Sequence, residues 1–217
     1  MLSLRASRAT FSRHASRGAY ARHCGSDTNS VADDSQDMAV AAFRKLDIRV
    51  GQMTKVWKHE TADKLFCEEI DVAEPEVRQI ASGLVPYYSA EQLEGSQVLV
   101  VCNLKPAKLV GFKSHGMVLC AVSDDGTAVE VVEPPEGSTL GERIALVGSG
   151  SDADPGDWSG ALEDPASANQ VGKKKMMQTA CHALATDGDR VARCGGLALA
   201  TSAGECTVRT LENARIY

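Results

Sequence analysis

Between Leu46 and Val132, apolar and polar positions alternate in short runs, the two-residue period of half-buried β-strands. Leu46-Asp47-Ile48-Arg49-Val50 alternates strictly, and the alternation continues through Val56. Further runs rich in Val and Ile occupy residues 65–72, 77–81, 97–102, 117–122 and 128–132, each bounded by turn residues. Asp124-Asp125-Gly126 predicts the hairpin turn that joins the last two. One stretch breaks the texture. Ser89 followed three residues later by Gln92 predicts a capping box, and Gly95 the end of the short helix it opens.

Strands in that order, with a single helix between the third and fourth, predict a mainly β chain built on a five-stranded OB-fold barrel over residues 43–147. Residues 27–42 are acidic and Ser-rich, then small and apolar, which predicts a linker or lead-in helix. Residues 148–172 run through Gly, Ser, Asp and Pro and read as a linker across the surface. Gly148-Ser149-Gly150 follows the barrel rather than opening a helix, so it is not a dinucleotide loop. Residues 173–217 begin with Lys173-Lys174-Lys175 and carry short apolar runs, predicting a small β-rich C-terminal appendage packed on the barrel.

Charge changes the picture at the N-terminus. The 217 residues carry a net −6, yet residues 1–26 hold Arg5, Arg8, Arg13, Arg17 and Arg22 and no acid. An Arg-rich, Ser-rich, acid-free segment reads as an organellar transit peptide, here leaning to the mitochondrion with the plastid as alternative. The competing reading is a basic arm that binds RNA itself. Without that segment 18 basic residues face 29 acidic ones. A nucleic-acid partner, whose phosphates are met by Lys and Arg, would then need a local basic patch on an acidic body. No run approaches the roughly 18 apolar residues of a membrane span. None of Cys24, Cys67, Cys102, Cys120, Cys181, Cys194 and Cys206 forms a C-x-x-C pair, so spacing indicates neither a zinc site nor any other metal centre. Cys67, Cys102 and Cys120 lie in apolar strand runs, where a free thiol acts as a small hydrophobe.

No catalytic constellation emerges. His14 and His23 fall in the presumed presequence, and His59, His115 and His182 belong to no H-E-x-x-H motif. Neither a G-x-S-x-G elbow nor a phosphate-binding G-x-x-x-x-G-K loop occurs. Glu68 and Glu69 are neighbours in a strand and point to opposite faces, so they cannot serve one substrate as acid and base. The expectation is a chain that is not an enzyme and takes no cofactor.

The informative run is Asn103 to Met117, where Lys105, Lys108 and Lys113 fall within nine residues with no acid between them. The loop joins two strands near the ligand face of an OB barrel, with Asn103 and Ser114 able to make single hydrogen bonds to phosphate, ribose or base. An ordinary solvated loop is the bland reading. This run resembles the tRNA-binding domain of the endothelial-monocyte-activating polypeptide type, which also occurs appended to methionyl- and tyrosyl-tRNA synthetases and as a free-standing aminoacylation cofactor. Leu46 to Gly51, His59 to Leu65, Ser82 to Val85, and Pro134-Pro135 followed by Gly137 and Gly141 continue the match over residues 43–147. The chain departs from the family at His59-Glu60, where His-Pro is usual.

The resemblance implies a module that binds tRNA largely without regard to sequence and presents it to a synthetase. Carried over residue by residue, it points to Asn103, Lys105, Lys108, Lys113, Ser114 and Met117, and more distantly to Arg49 and Lys64. Met117 opens an apolar strand, where a methionine is more often core than contact. Aromatic residues are only 5% of the chain, too few for a long stacking platform, which favours folded RNA read by shape and phosphate position. The partners expected are therefore tRNA and an aminoacyl-tRNA synthetase, with no membrane; pairing into a homodimer is left open. The alternative is a protein-binding chaperone or assembly module on the same barrel.

Overall fold

The computed structural model describes residues 28–148 and 162–217. The expected transit peptide, and most of the expected linker between barrel and appendage, lie outside the described residues. Helix α1 (Thr28–Arg44) leads into a meander of β1 (Ile48–Lys58), β2 (Phe66–Asp71) and β3 (Arg78–Ser82). Helix α2 (Ala90–Leu93) follows, and Ser89 and Gln92 cap it reciprocally as the spacing predicts. Strand β4 (Gln97–Val101) then pairs with β1, β5 (Ala107–Leu109) and β6 (Phe112–Ser114) form a separate hairpin, and β7 (Met117–Val118) pairs with β4. The barrel sheet runs in the order β3-β2-β1-β4-β7. This is the expected mainly β OB-fold barrel with its helix between the third and fourth strands.

Strand β1 makes the barrel possible by changing partners along its length. Residues Ile48 to Gln52 pair with β4, and from Gln52 onward the strand pairs with β2, with a bulge between Met53 and Lys55 that re-aims it. On its other edge, Val50 N–H donates to the Glu142 carbonyl and Ile144 N–H to the Ile48 carbonyl, both at 2.9 Å, nearly closing the sheet. Gly51 sits at the tightest point. A β-carbon there would lie 2.7 Å from Ile70 Cγ2 and 2.9 Å from Val100 Cγ2, so no larger residue fits.

The remaining elements are β8 (Cys120–Val122), β9 (Val129–Val131), β10 (Ala145–Val147), α3 (Ala168–Lys173), α4 (Met176–Cys181), β11 (Leu184–Thr186), β12 (Ala192–Cys194), β13 (Leu197–Thr201), β14 (Gly204–Glu205) and β15 (Arg215–Ile216). Those after residue 167 form the expected small β-rich appendage packed on the barrel, and the two share a sheet. Strand β15 pairs directly with β8, and β13 with β10, so one sheet runs β10-β13-β12-β11-β15-β8-β9 through both regions. Helix α3 begins inside the stretch expected as linker, and α1 lies against α4 and β12 rather than serving only as a lead-in.

Burial explains this union. Alternate residues of β4 face two different cores. Val98 and Val100 pack inside the barrel with Met53, Phe66, Ile70 and Ile80. Leu99 and Val101 pack outward with Ile48 and Leu119 against Phe43 of α1, Met177 and Ala180 of α4, Leu184, Leu199 and Ile216. Covered on both faces, β4 is apolar without alternation. The described cysteines are free thiols, and burial pushes Cys102, Cys120, Cys194 and Cys206 up to about 12, so they serve as packing groups rather than nucleophiles.

One charged residue sits inside the barrel. Glu68 of β2, flanked by Val56 and Ile80 on the neighbouring strands, is fully buried. Ser82 Oγ donates to one carboxylate oxygen, and the other has no partner. Burial raises its pKa to about 7, against the lowering effect of the Ser82 bond. A pKa raised on folding means that the folded state binds the proton more tightly than the unfolded chain. The associated stability is complete below the unfolded value near 4.5 and is lost as pH rises through about 7. Denaturant unfolding should therefore show the protein losing on the order of 3 kcal/mol between pH 5 and pH 8 through this group. Glu68→Gln should remove that slope; an identical pH dependence in the variant would show that Glu68 does not titrate in this range.

Candidate nucleic-acid interface

The lysine loop is an ordered hairpin. Strands β5 and β6 pair Leu109 with Phe112, Lys108 with Lys113 and Ala107 with Ser114. Val110 and Gly111 make the two-residue turn, with φ of 47° and 93°, the doubly left-handed pattern that suits the twist of a tight hairpin. Val110 is β-branched, disfavoured at positive φ, and 62% exposed. The hairpin is anchored on β1 by Phe112, whose ring meets Trp57 edge-on at 6.2 Å.

Its feet are fixed by three side chains. Arg78 of β3 donates through Nη1 to the carbonyls of Cys102 (2.8 Å) and His115 (2.7 Å), bridging the two ends of the loop. Its other nitrogens fork onto Glu74 at 2.8 and 2.7 Å, and those bonds lower the Glu74 pKa. Ser114 Oγ accepts from Ala81 N–H (3.2 Å) and donates to the Gly116 carbonyl (3.0 Å). Asn103 accepts Asp47 N–H at 2.9 Å and donates to the Lys45 and Ala166 carbonyls at 3.0 and 2.9 Å.

The eight residues singled out from the sequence therefore fall into three groups. Lys108 and Lys113 are exposed on the hairpin, Lys105 in the segment leading into it, and Lys64 in the turn before β2. Neighbours of Lys64 in that turn, His59 to Thr61, share a cleft of about 370 Å³ with Val110, Gly111 and Phe112 at the hairpin tip. Asn103, Ser114 and Arg49 are instead committed internally. Asn103 and Ser114 spend their hydrogen bonds holding the loop. Arg49 forks onto Asp47 at 2.9 and 2.8 Å and approaches Glu74 at 3.6 Å, and the Asp47 bond raises its pKa. Met117 is half-buried against the outer core. Among the described residues, Lys45 is the one lysine in an ion pair, with Glu163 at 2.8 Å.

The structure adds a group that the sequence left apart. The Lys105 stem runs past α3, where a β-carbon at Gly172 would lie 3.8 Å from Lys105 Cε. The exposed run Lys173-Lys174-Lys175 follows, with Lys175 in a left-handed conformation at the α3–α4 joint. The triple lysine is plain in the sequence; its nearness to Lys105 is not, because α3 has to fold back over the loop. The basic strip thus crosses from barrel to appendage.

The sequence pattern of the family described as tRNA binding domain matches residues 48–143, the barrel that carries this hairpin. The chain is 41% identical over 172 residues to the cytoplasmic methionine–tRNA ligase of Arabidopsis thaliana, covering 79% of this chain and 20% of the ligase. It is 36% identical to aminoacyl tRNA synthase complex-interacting multifunctional protein 1 of Mus musculus, covering 86% of this chain and 56% of that protein. It therefore spans about a fifth of the plant ligases it matches and about half of the mouse protein. Its structure is similar to the C-terminal domain of Plasmodium vivax p43, with a TM-score of 0.67 and 33% identity over 81% of this chain and 98% of that domain.

The internal role of Asn103 has a measurable consequence. Asn103→Ala strands one buried N–H and two carbonyls, and should cost about 3 kcal/mol of unfolding free energy in a denaturant titration. Wild-type stability in that variant would return Asn103 to the surface as a ligand contact.

Proposed function

Because this chain belongs to the tRNA-binding domain family of the endothelial-monocyte-activating polypeptide type, we propose that it is a non-catalytic tRNA-binding protein that presents tRNA to an aminoacyl-tRNA synthetase. The observation that carries this reading is the pair Lys108 and Lys113. They face each other across a two-stranded hairpin, and neither has an ion-pair partner. Like charges directly opposite on a hairpin destabilise it, and a phosphate between them turns that repulsion into attraction. The fixed feet of the loop hold the backbone beneath both lysines in place before the RNA arrives, so little backbone ordering entropy is lost on binding.

Contacts to phosphate fix position and carry no sequence information, which suits a module that accepts many tRNAs. Lys105 and Lys173 to Lys175 extend the track along a folded RNA. Association with a synthetase is favoured by the relatives, which are ligases or a protein named for its interaction with their complex. The acid-free, arginine-rich residues 1–26 support a place for this work in the mitochondrion, with the plastid second.

Two measurements test the reading. Lys108→Ala with Lys113→Ala should weaken binding of all tRNAs about equally and reduce the log–log salt slope by about one unit per lost phosphate contact. The same variant should unfold at the same or higher denaturant concentration, since it loses a repulsive pair. Unchanged affinity and slope would remove the hairpin from the interface. Protein recovered from mitochondria should begin near residue 27, and an intact Met1 on it would sink the organellar assignment.

A further inference from the structure

We propose that the groove between β7, α4, β11 and β15 is a pocket for one unpaired nucleotide of the bound RNA, an inference that rests on the tRNA-binding reading above. The groove encloses about 710 Å³, within the range of roughly 300–1,000 Å³ typical of small-ligand sites. Its walls are apolar and adaptable: Met117 from the barrel faces Met177, Cys181 and Leu184 from the appendage. A flat base fits such walls by its faces. Gln178, His182 and Asn213 also line the groove and offer donors and acceptors for a base edge. Tyr217, 46% exposed, supplies an aromatic ring on which a base can stack, with Arg215 beside it.

Charge selects the occupant. No acidic residue is among the described residues that line the groove. Arg215 is a cation among the described lining residues, and Lys175 stands at the start of α4, whose residues form one wall. A nucleotide bound here would have Arg215 at hand for a neighbouring phosphate. An apolar peptide would leave Gln178, His182 and Asn213 without partners. The scarcity of aromatic residues excludes a long stacking platform, but one base needs only one ring. By contrast, the cleft beside the hairpin tip is lined by Glu60, which opposes a phosphodiester.

The test compares unfractionated tRNA with a fully paired RNA duplex, each titrated at several salt concentrations against the full chain. Tyr217→Ala should weaken tRNA binding about tenfold, with the salt slope unchanged and duplex binding unaffected. Tyr217→Phe should keep most of the affinity. Gln178→Glu, on an exposed helical position, should also weaken tRNA binding by placing a carboxylate at the rim. Wild-type tRNA affinity in Tyr217→Ala, while Lys108→Ala with Lys113→Ala binds more weakly, would overturn the pocket and leave the tRNA reading standing. Wild-type tRNA affinity together with lost binding to a synthetase would assign the groove to a protein partner instead. If the wild-type chain binds no tRNA at low salt, the reading beneath the proposal fails along with it.

Discussion

One residue, Asp47, ties together the junction on which the binding face rests, through its carboxylate and its backbone N–H. Asp47 is only 7% exposed, and its charge is met by Arg49 in a forked contact and by Arg143 at 3.4 Å. Its backbone N–H is taken by Asn103, which also binds the carbonyls of Lys45 and Ala166. The end of α1, the start of β1, the first foot of the lysine hairpin, the closing segment around Arg143 and the approach to α3 therefore meet within one hydrogen-bonded knot. Buried charge is tolerable only when it is paired in this way, and losing any partner leaves an unsatisfied group rather than a gap. The hairpin keeps its shape because this knot, Arg78 and Ser114 fix it from below.

The barrel was readable from the residues because its signals are local. Alternation marks β1, a Ser–Gln spacing marks α2, and Asp124-Asp125-Gly126 marks a tight turn; each depends on neighbours within a few positions. The union of barrel and appendage was not readable, since it rests on pairings such as Ala121 with Ile216 and Leu146 with Leu199, which no local periodicity announces. The continuous apolar run of β4 was the available hint that a second layer covers the barrel. Of the site, the exposed lysines were legible from charge and spacing. The internal roles of Asn103, Ser114 and Arg49 were not, because a polar residue looks the same in sequence whether it faces solvent or bonds to groups of its own chain.

Arginine and lysine divide the electrostatic work. Arg49, Arg78, Arg143, Arg193 and Arg209 use their planar guanidinium groups in ion pairs within the fold, where forked geometry gives fixed orientation. The lysines of the hairpin and of residues 173–175 stay outside, on flexible stems that can follow a phosphate backbone. This division is how a chain of net −6 presents a cationic face. The overall charge sets solubility and long-range encounter, while the face is set by which cations the fold leaves unused.

The shared sheet also bears on what the molecule can assemble with. An open strand edge is a template for another chain, and a small barrel has such edges wherever its strands splay. Here β13 covers one side of β10, and β15 covers one side of β8, so the chain's own C-terminal residues occupy both positions. Self-association by strand addition is closed off at both places. Two strand sides that would otherwise lie open are thus covered by the fold itself.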